Sequence, residues 1–144
     1  MAVRDAGTRQ DTFVVRLTVN GADFGVWDKK TGGELDSEAT IYFPGGMRQQ
    51  QDLGGRKNAG NVTLQRLYDR IDDHDRISIL LNASGRGKVT VSQRPMDENA
   101  NEYGKSIVWN GRLKRVSPPD VDSESSTAAL IEVEVSVKGY PTAV

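Results

Sequence analysis

The segment Ile131, Val133, Val135 and Val137, interleaved with Glu132, Glu134, Ser136 and Lys138, constrains the fold more than any other part of the chain. Side chains at every second position leave an extended backbone on the same side, so this stretch reads as a strand with one face in a core and one in water. The same period recurs where Phe13, Val15, Leu17 and Val19 alternate with Val14, Arg16 and Thr18. It recurs at residues 87–93, with Val89 and Val91 set against Lys88, Thr90 and Ser92. Across Lys105–Val116, Ile107, Trp109 and Leu113 alternate with Val108, Asn110, Arg112 and Lys114. Asn20-Gly21 tolerates positive φ at both positions and predicts a tight hairpin turn into a strand over 22–28. That strand should carry Phe24 and Val26 on one face and Trp27 on the other.

Two more strands are expected. Glu38–Phe43 should place Ile41 and Phe43 on one side, with Thr40 and Tyr42 opposite, and residues 61–69 should turn Val62, Leu64 and Tyr68 inward. Between them Pro44–Gly60 carries five glycines and almost no apolar residue, which predicts a long polar loop or a long flexible hairpin. One segment breaks the rhythm. Ile71, His74, Ile77, Leu80 and Leu81 fall at helical spacing behind Asp69, Asp72, Asp73 and Asp75, and acidic residues suit the positive end of a helix dipole. Gly85 is placed to stop it, giving one short helix over about 71–83. Six or seven strands, one helix and no strand–helix alternation make a mainly β protein, an antiparallel sandwich or barrel. The expected organisation is a flexible arm over 1–10, one β domain over 11–140 and a C-terminal tail over 141–144.

Composition narrows the chemistry. Of 144 residues, 36% are hydrophobic and 6% aromatic, which allows a modest core and makes burial against neighbouring copies a natural source of stability. Nineteen basic against twenty acidic residues leave a formal net charge of −1, which lacks the large positive field of a typical nucleic-acid binder. With no cysteine, disulfides, thiolate nucleophiles and thiolate-held zinc are excluded. The start MAVRDAGTRQ has no apolar stretch, which predicts no secretory signal, and no run approaches the roughly 18 apolar residues of a membrane span.

Catalytic patterns are weak. His74, the single histidine, lies in Asp73-His74-Asp75 inside the expected helix, where consecutive side chains diverge. The acidic run 69–75 lacks the turn glycine and regular ligand spacing of a calcium loop. Gly85-Arg86-Gly87-Lys88 has Asn82 and Val89 where a phosphate-binding loop requires glycine and a hydroxyl residue. Glu132 and Glu134 share a strand face roughly 6–7 Å apart, a spacing that also suits a glycosidase pair, but few aromatics are available to build a sugar platform. Arg112, Lys114 and Arg115 beside Trp109 read as a solvated strand face. No catalytic residue, metal or cofactor is expected.

The order of segments is more informative than any single motif. Asn61-Val62-Thr63-Leu64, followed by an aspartate-led short helix, resembles the central motif of phage tail-tube proteins. The strands at 87–93 and 105–116 follow in the same order, and Ala128-Ala129-Leu130-Ile131-Glu132-Val133-Glu134-Val135 is similar to that family's closing strand. The glycine-rich excursion before the Asn61 strand matches as well. The resemblance spans about residues 11–140 and extends to tube proteins of contractile injection systems and type VI secretion.

If it holds, the resemblance implies a non-enzymatic virion protein that stacks as hexameric rings into a tail tube, a conduit for DNA delivery. It would be made in the host bacterial cytoplasm and reside in the tail, with no membrane role. Implied partners are further copies of itself, a sheath if the tail contracts, baseplate, initiator and terminator proteins, and DNA passing through the lumen. A tube of a secretion system, a tube initiator or terminator, and, more remotely, a carbohydrate-binding module are the alternatives. Met47, Arg48, Gln49, Gln50, Gln51, Arg56, Lys57 and Asn58 are the candidate inter-subunit loop, and Glu132 and Glu134 the candidate lumen or inter-subunit strand face. A neutral or acidic lining would let DNA slide without sticking.

Overall fold

The computed structural model describes residues 7–37, 39, 41–54 and 57–144. Twelve strands and one helix follow one another: β1 Phe13–Val19, β2 Ala22–Trp27, β3 Lys29–Gly32, β4 Leu35–Ser37, β5 Ile41–Tyr42, β6 Gln51–Asp52, β7 Lys57–Ala59, β8 Val62–Leu67, α1 Ile77–Ala83, β9 Lys88–Pro95, β10 Ile107–Ser117, β11 Leu130–Val137 and β12 Thr142–Ala143. The mainly β expectation holds. The main sheet is antiparallel throughout, ordered β2-β1-β9-β10-β11-β8-β3, with β12 on the end of β10.

The alternating segments behave as their period demands. Leu17, Val19, Val62, Leu64, Val91, Leu113, Ile131, Val133 and Val135 are fully buried and form one core with Trp109, Phe24, Trp27 and Leu80. Asn20 and Gly21 both take positive φ, 50° and 84°, as the β1–β2 turn requires. The Asn20 side chain also accepts the Lys88 N–H at 3.0 Å and ties that turn to β9.

The sheet is curled so far that its two end strands meet. β2 and β3 lie at opposite ends of the strand order yet are joined by a single residue, Asp28. Asp28 donates its N–H to Gln65 O at 3.1 Å and accepts from Leu67 N–H at 3.2 Å, so the crossing is bonded directly to β8.

Two local expectations need correction. Trp27 faces inward together with Phe24, and Val26 is the exposed one. The cause is a bulge: the β1–β2 register slips by one residue, Gly25 takes φ 75°, and Asp23 accepts the Gly25 N–H at 2.8 Å. The helix is shorter than 71–83. Residues 70–76 are turns and only Ile77–Ala83 is helical, with Leu80 and Ala83 buried while Ile71 and Leu81 are exposed. Within the C-terminal tail 141–144, Thr142 and Ala143 pair with Val108 and Ile107. Of the two readings of 44–60, the long hairpin fits, since Gln51–Asp52 and Lys57–Ala59 are strands. Of the expected N-terminal arm, residues 1–6 lie outside the described set, and Gln10–Thr12 form a turn of 3-10 helix.

Candidate functional site

The excursion that the sequence presents as a loop is the outer half of one long β-ribbon. β3 pairs β8 from Lys29↔Gln65 to Gly32↔Val62, and β4 pairs β7 from Leu35↔Ala59 to Ser37↔Lys57 in the same register. Between these ladders Gly33 N–H donates to Asn61 O at 3.1 Å and Gly60 N–H to Glu34 O at 2.9 Å, so the pairing does not break where the ribbon leaves the sheet. Beyond Ser37 the register slips by one and resumes at Ile41↔Asp52 and Tyr42↔Gln51. The described residues of 33–61 therefore form an arm continuous with the sheet edge.

The root of the arm is fixed by Trp109. Its buried indole N–H donates to Gly33 O at 2.9 Å, and a side chain at Gly33, which also takes φ 80°, would meet that indole nitrogen at 2.8 Å. Lys30 lies over the same ring, its Nζ 4.1 Å from the centroid. Burial holds the Lys30 ammonium below the usual lysine range, and the Glu34 charge opposes that shift. Farther out, Lys57 Nζ sits 5.3 Å from the Tyr140 ring, a contact between the arm and the C-terminal segment.

The arm's surface is less polar than its loop composition suggests. Leu35, Ile41, Tyr42 and Leu53 are about half exposed, Phe43 is 73% exposed and Met47 is fully exposed. Of the candidate inter-subunit residues, Met47 to Gln50 occupy the tip, Gln51 lies in β6, and Lys57 and Asn58 lie in β7, all exposed. Arg56 lies outside the described residues, as does Thr40 of the expected 38–43 strand. The alternation over 38–43 set Ile41 and Phe43 on one side of a strand and Tyr42 on the other, yet all three are exposed. Their position beyond the last neighbouring strand leaves them in solvent.

Glu132 and Glu134 do share the outward face of β11, but they are not an open acidic stripe. Arg115 donates to Glu132 at 2.9 Å and approaches Glu134 at 3.5 Å, Lys114 Nζ lies 3.5 Å from Glu134, and Asn61 donates to it at 3.2 Å. The β10 register slips by one between Leu113 and Arg115. That bulge sets both cations beside β11 while Leu113 and Val116 stay on the core side. Arg16 and Arg94 likewise converge on Glu102. The carboxylates of this face are thus already matched by cations, which makes it closer to neutral than acidic.

A second feature was not legible as a site. Arg66 stands on the core side of β8, where it donates to Phe24 O and Val26 O of β2 and forms a salt bridge with Asp73, which is 1% exposed. Its guanidinium stacks on Trp27, 4.4 Å from the centroid. Asp73 also accepts the Asp69 N–H at 2.9 Å. Arg66 thereby bridges the seam where the two ends of the curled sheet meet, and the acidic turn 69–76 serves to neutralise it. His74 is exposed, its Nδ1 2.7 Å from the Tyr68 hydroxyl. No cluster of His, Cys, Asp and Glu among the described residues could hold a metal ion. Among the same residues no helix is long and apolar enough to cross a membrane.

No known family model matches the chain, and no curated protein does either. Solved structures do match over nearly its full length. A chain of the anti-feeding prophage tube-terminating cap superposes with a TM-score of 0.75 at 17% identity, covering 100% of this chain and 94% of that one. A chain of the sheath–tube complex of an extracellular contractile injection system in its extended state gives 0.67 at 19% identity, covering 97% and 94%. A chain of the sheath/tube terminator of that system gives 0.69 at 14% identity, covering 99% and 99%. The fold expected from the sequence is therefore shared, end to end, with components of contractile injection assemblies.

Proposed function

We propose that this protein is a structural tube subunit that self-assembles into stacked, hexameric rings forming the tail tube of a phage-type particle. The observation that carries this reading is the arm. A domain whose fold coincides over its whole length with parts of tube-bearing assemblies projects a two-stranded ribbon whose large apolar side chains find no cover among the described residues. Exposed apolar surface of this kind marks a protein contact, and a neighbouring copy is the partner that a ring supplies six times over. Met47 to Gln51, Lys57 and Asn58 would bond across that junction, as would Arg56 by its place in the sequence. The free edge of the ribbon would be covered by the same contact. Sheath, baseplate, initiator and terminator proteins would be the further partners, with DNA or another cargo passing through the lumen.

The role proposed is not catalytic. The single histidine is exposed and hydrogen-bonded to a tyrosine, and the Glu132–Glu134 pair is matched by Arg115 and Lys114. A tube terminator is the second reading, favoured by the close match to a chain of the tube-terminating cap. Electron microscopy of the concentrated protein separates the two. Stacked tubes support the main reading, single closed rings that do not stack support the terminator, and a monomer at every concentration sinks both. Shortening the arm between Ser37 and Lys57 to a tight turn should leave a folded domain and abolish rings and tubes alike.

A further inference from the structure

One cationic pair on the sheet has no partner of opposite charge among the described residues. Lys88 of β9 and Arg112 of β10 are directly opposite in the antiparallel register, both exposed on the polar face. Like charges placed across adjacent strands destabilise a sheet. The neighbouring cations of this face are matched: Lys114 and Arg115 by Glu132 and Glu134, Arg16 and Arg94 by Glu102. No carboxylate among the described residues comes within 4.0 Å of Lys88 or Arg112, and the residue that flanks Arg112 on its other side, in β11, is the neutral Ser136. Lys138, whose N–H bonds to Asn110 O at 2.8 Å, adds a further exposed cation one step along.

The same chain carries a surface of opposite charge that stays away from this pair. The connection between β10 and β11 exposes Asp120, Asp122 and Glu124, and no lysine or arginine occurs anywhere from Val116 to Val137. Asp120 and Asp122 border a depression of about 530 Å³ shared with Gln65 and Arg115, on the β8 side of the sheet, whereas Lys88 lies on the β9 side of β10.

Resting on the self-assembly reading above, we propose that Lys88 and Arg112 receive the acidic β10–β11 connection of a second copy of this chain. Because patch and loop are different surfaces, the contact is head-to-tail, the kind that propagates around a ring or along a stack instead of ending in a pair. It also fixes direction, since the reversed arrangement sets like charges against each other.

Charge reversal with complementation tests this. One variant carries Lys88→Glu and Arg112→Glu, the other Asp120→Lys, Asp122→Lys and Glu124→Lys, with folding of each checked by circular dichroism. Assembly is followed by light scattering and electron microscopy between low and high sodium chloride. The wild type should assemble and weaken as salt rises, each variant alone should require ~10-fold or more higher concentration, and the equimolar mixture should recover assembly. If a reversed variant does not fold, Lys88→Ser with Arg112→Ser takes its place and should lose the salt dependence. Variants that assemble like the wild type, or a mixture that stays as impaired as its components, would overturn this contact while leaving the tube reading intact. A wild type that never associates overturns both.

Discussion

The inner and outer halves of the long ribbon share one backbone register and meet opposite fates. In the inner half, β3 and β8 lie in the main sheet, and Val62 and Leu64 are fully buried because they face the core that the curled sheet encloses. In the outer half, β4 to β7 pair only with each other, so Ile41, Tyr42, Phe43 and Leu53 remain in water. An isolated two-stranded hairpin is marginally stable at best. The outer half holds its place through its continuity with β3 and β8, the Trp109 bond at its root and the Lys57–Tyr140 contact. Burial is a property of what lies next to a strand; pairing alone does not confer it.

The sharpest way to break this contrast is to place a charge in the covered core and, as its control, to change the outward face of the same strand. Val133→Asp places an unpaired carboxylate at a fully buried site and should unfold the domain, at a cost of several kcal/mol, as read by thermal denaturation. Glu132→Gln on the opposite face of the same strand should fold normally, and equal effects would mean the faces are wrongly assigned. Next in size is Asp73→Ala. It strands the Arg66 guanidinium, whose side chain is only 14% exposed, and should destabilise by ~3–5 kcal/mol. A denaturation midpoint unchanged by Asp73→Ala would show that the seam does not depend on this pair.

Trp109→Phe keeps most of the ring but leaves Gly33 O without its donor, and should cost about 1–2 kcal/mol while loosening the arm. Amide exchange at Gly60, bonded to Glu34 O beside that root, should speed up more than exchange in β9 or β11. Smaller still is the effect of Phe43→Ser with Met47→Ser, expected within ±0.5 kcal/mol because both side chains are already in water, yet it should abolish assembly. Loss of stability on that change would place these residues in the chain's own core. The slightest effect belongs to Lys30. Its folded-state value lies below the ordinary lysine value of 10.5, so the unfolded chain binds the proton more tightly, and stability should rise as pH climbs between the two values. Lys30→Met should flatten that rise.

The alternation of Val, Leu and Ile determined much by itself. It identified the inward residues of β1, β8, β9 and β11, the Asn20-Gly21 turn, and the mainly β class, because a period of two has one geometric meaning wherever a single face is covered. Segment order carried the resemblance to tube proteins, which the shared fold matches. What the sequence could not convey were events of pairing between distant segments. One-residue slips at Gly25 and at Lys114 turned Trp27 inward and brought two cations onto Glu132 and Glu134, and a slip has no signature in the alternation of either strand alone. Asp73 read as one acidic residue among several at a helix start. Only the curl of the sheet, which carries β2 back to β8, put Arg66 beside it and buried the pair. Ile41 and Phe43 alternate like core residues, and their exposure was decided by the absence of a strand beside them. Period fixes which way a side chain points from its own strand, whereas the tertiary arrangement decides whether protein or water lies there.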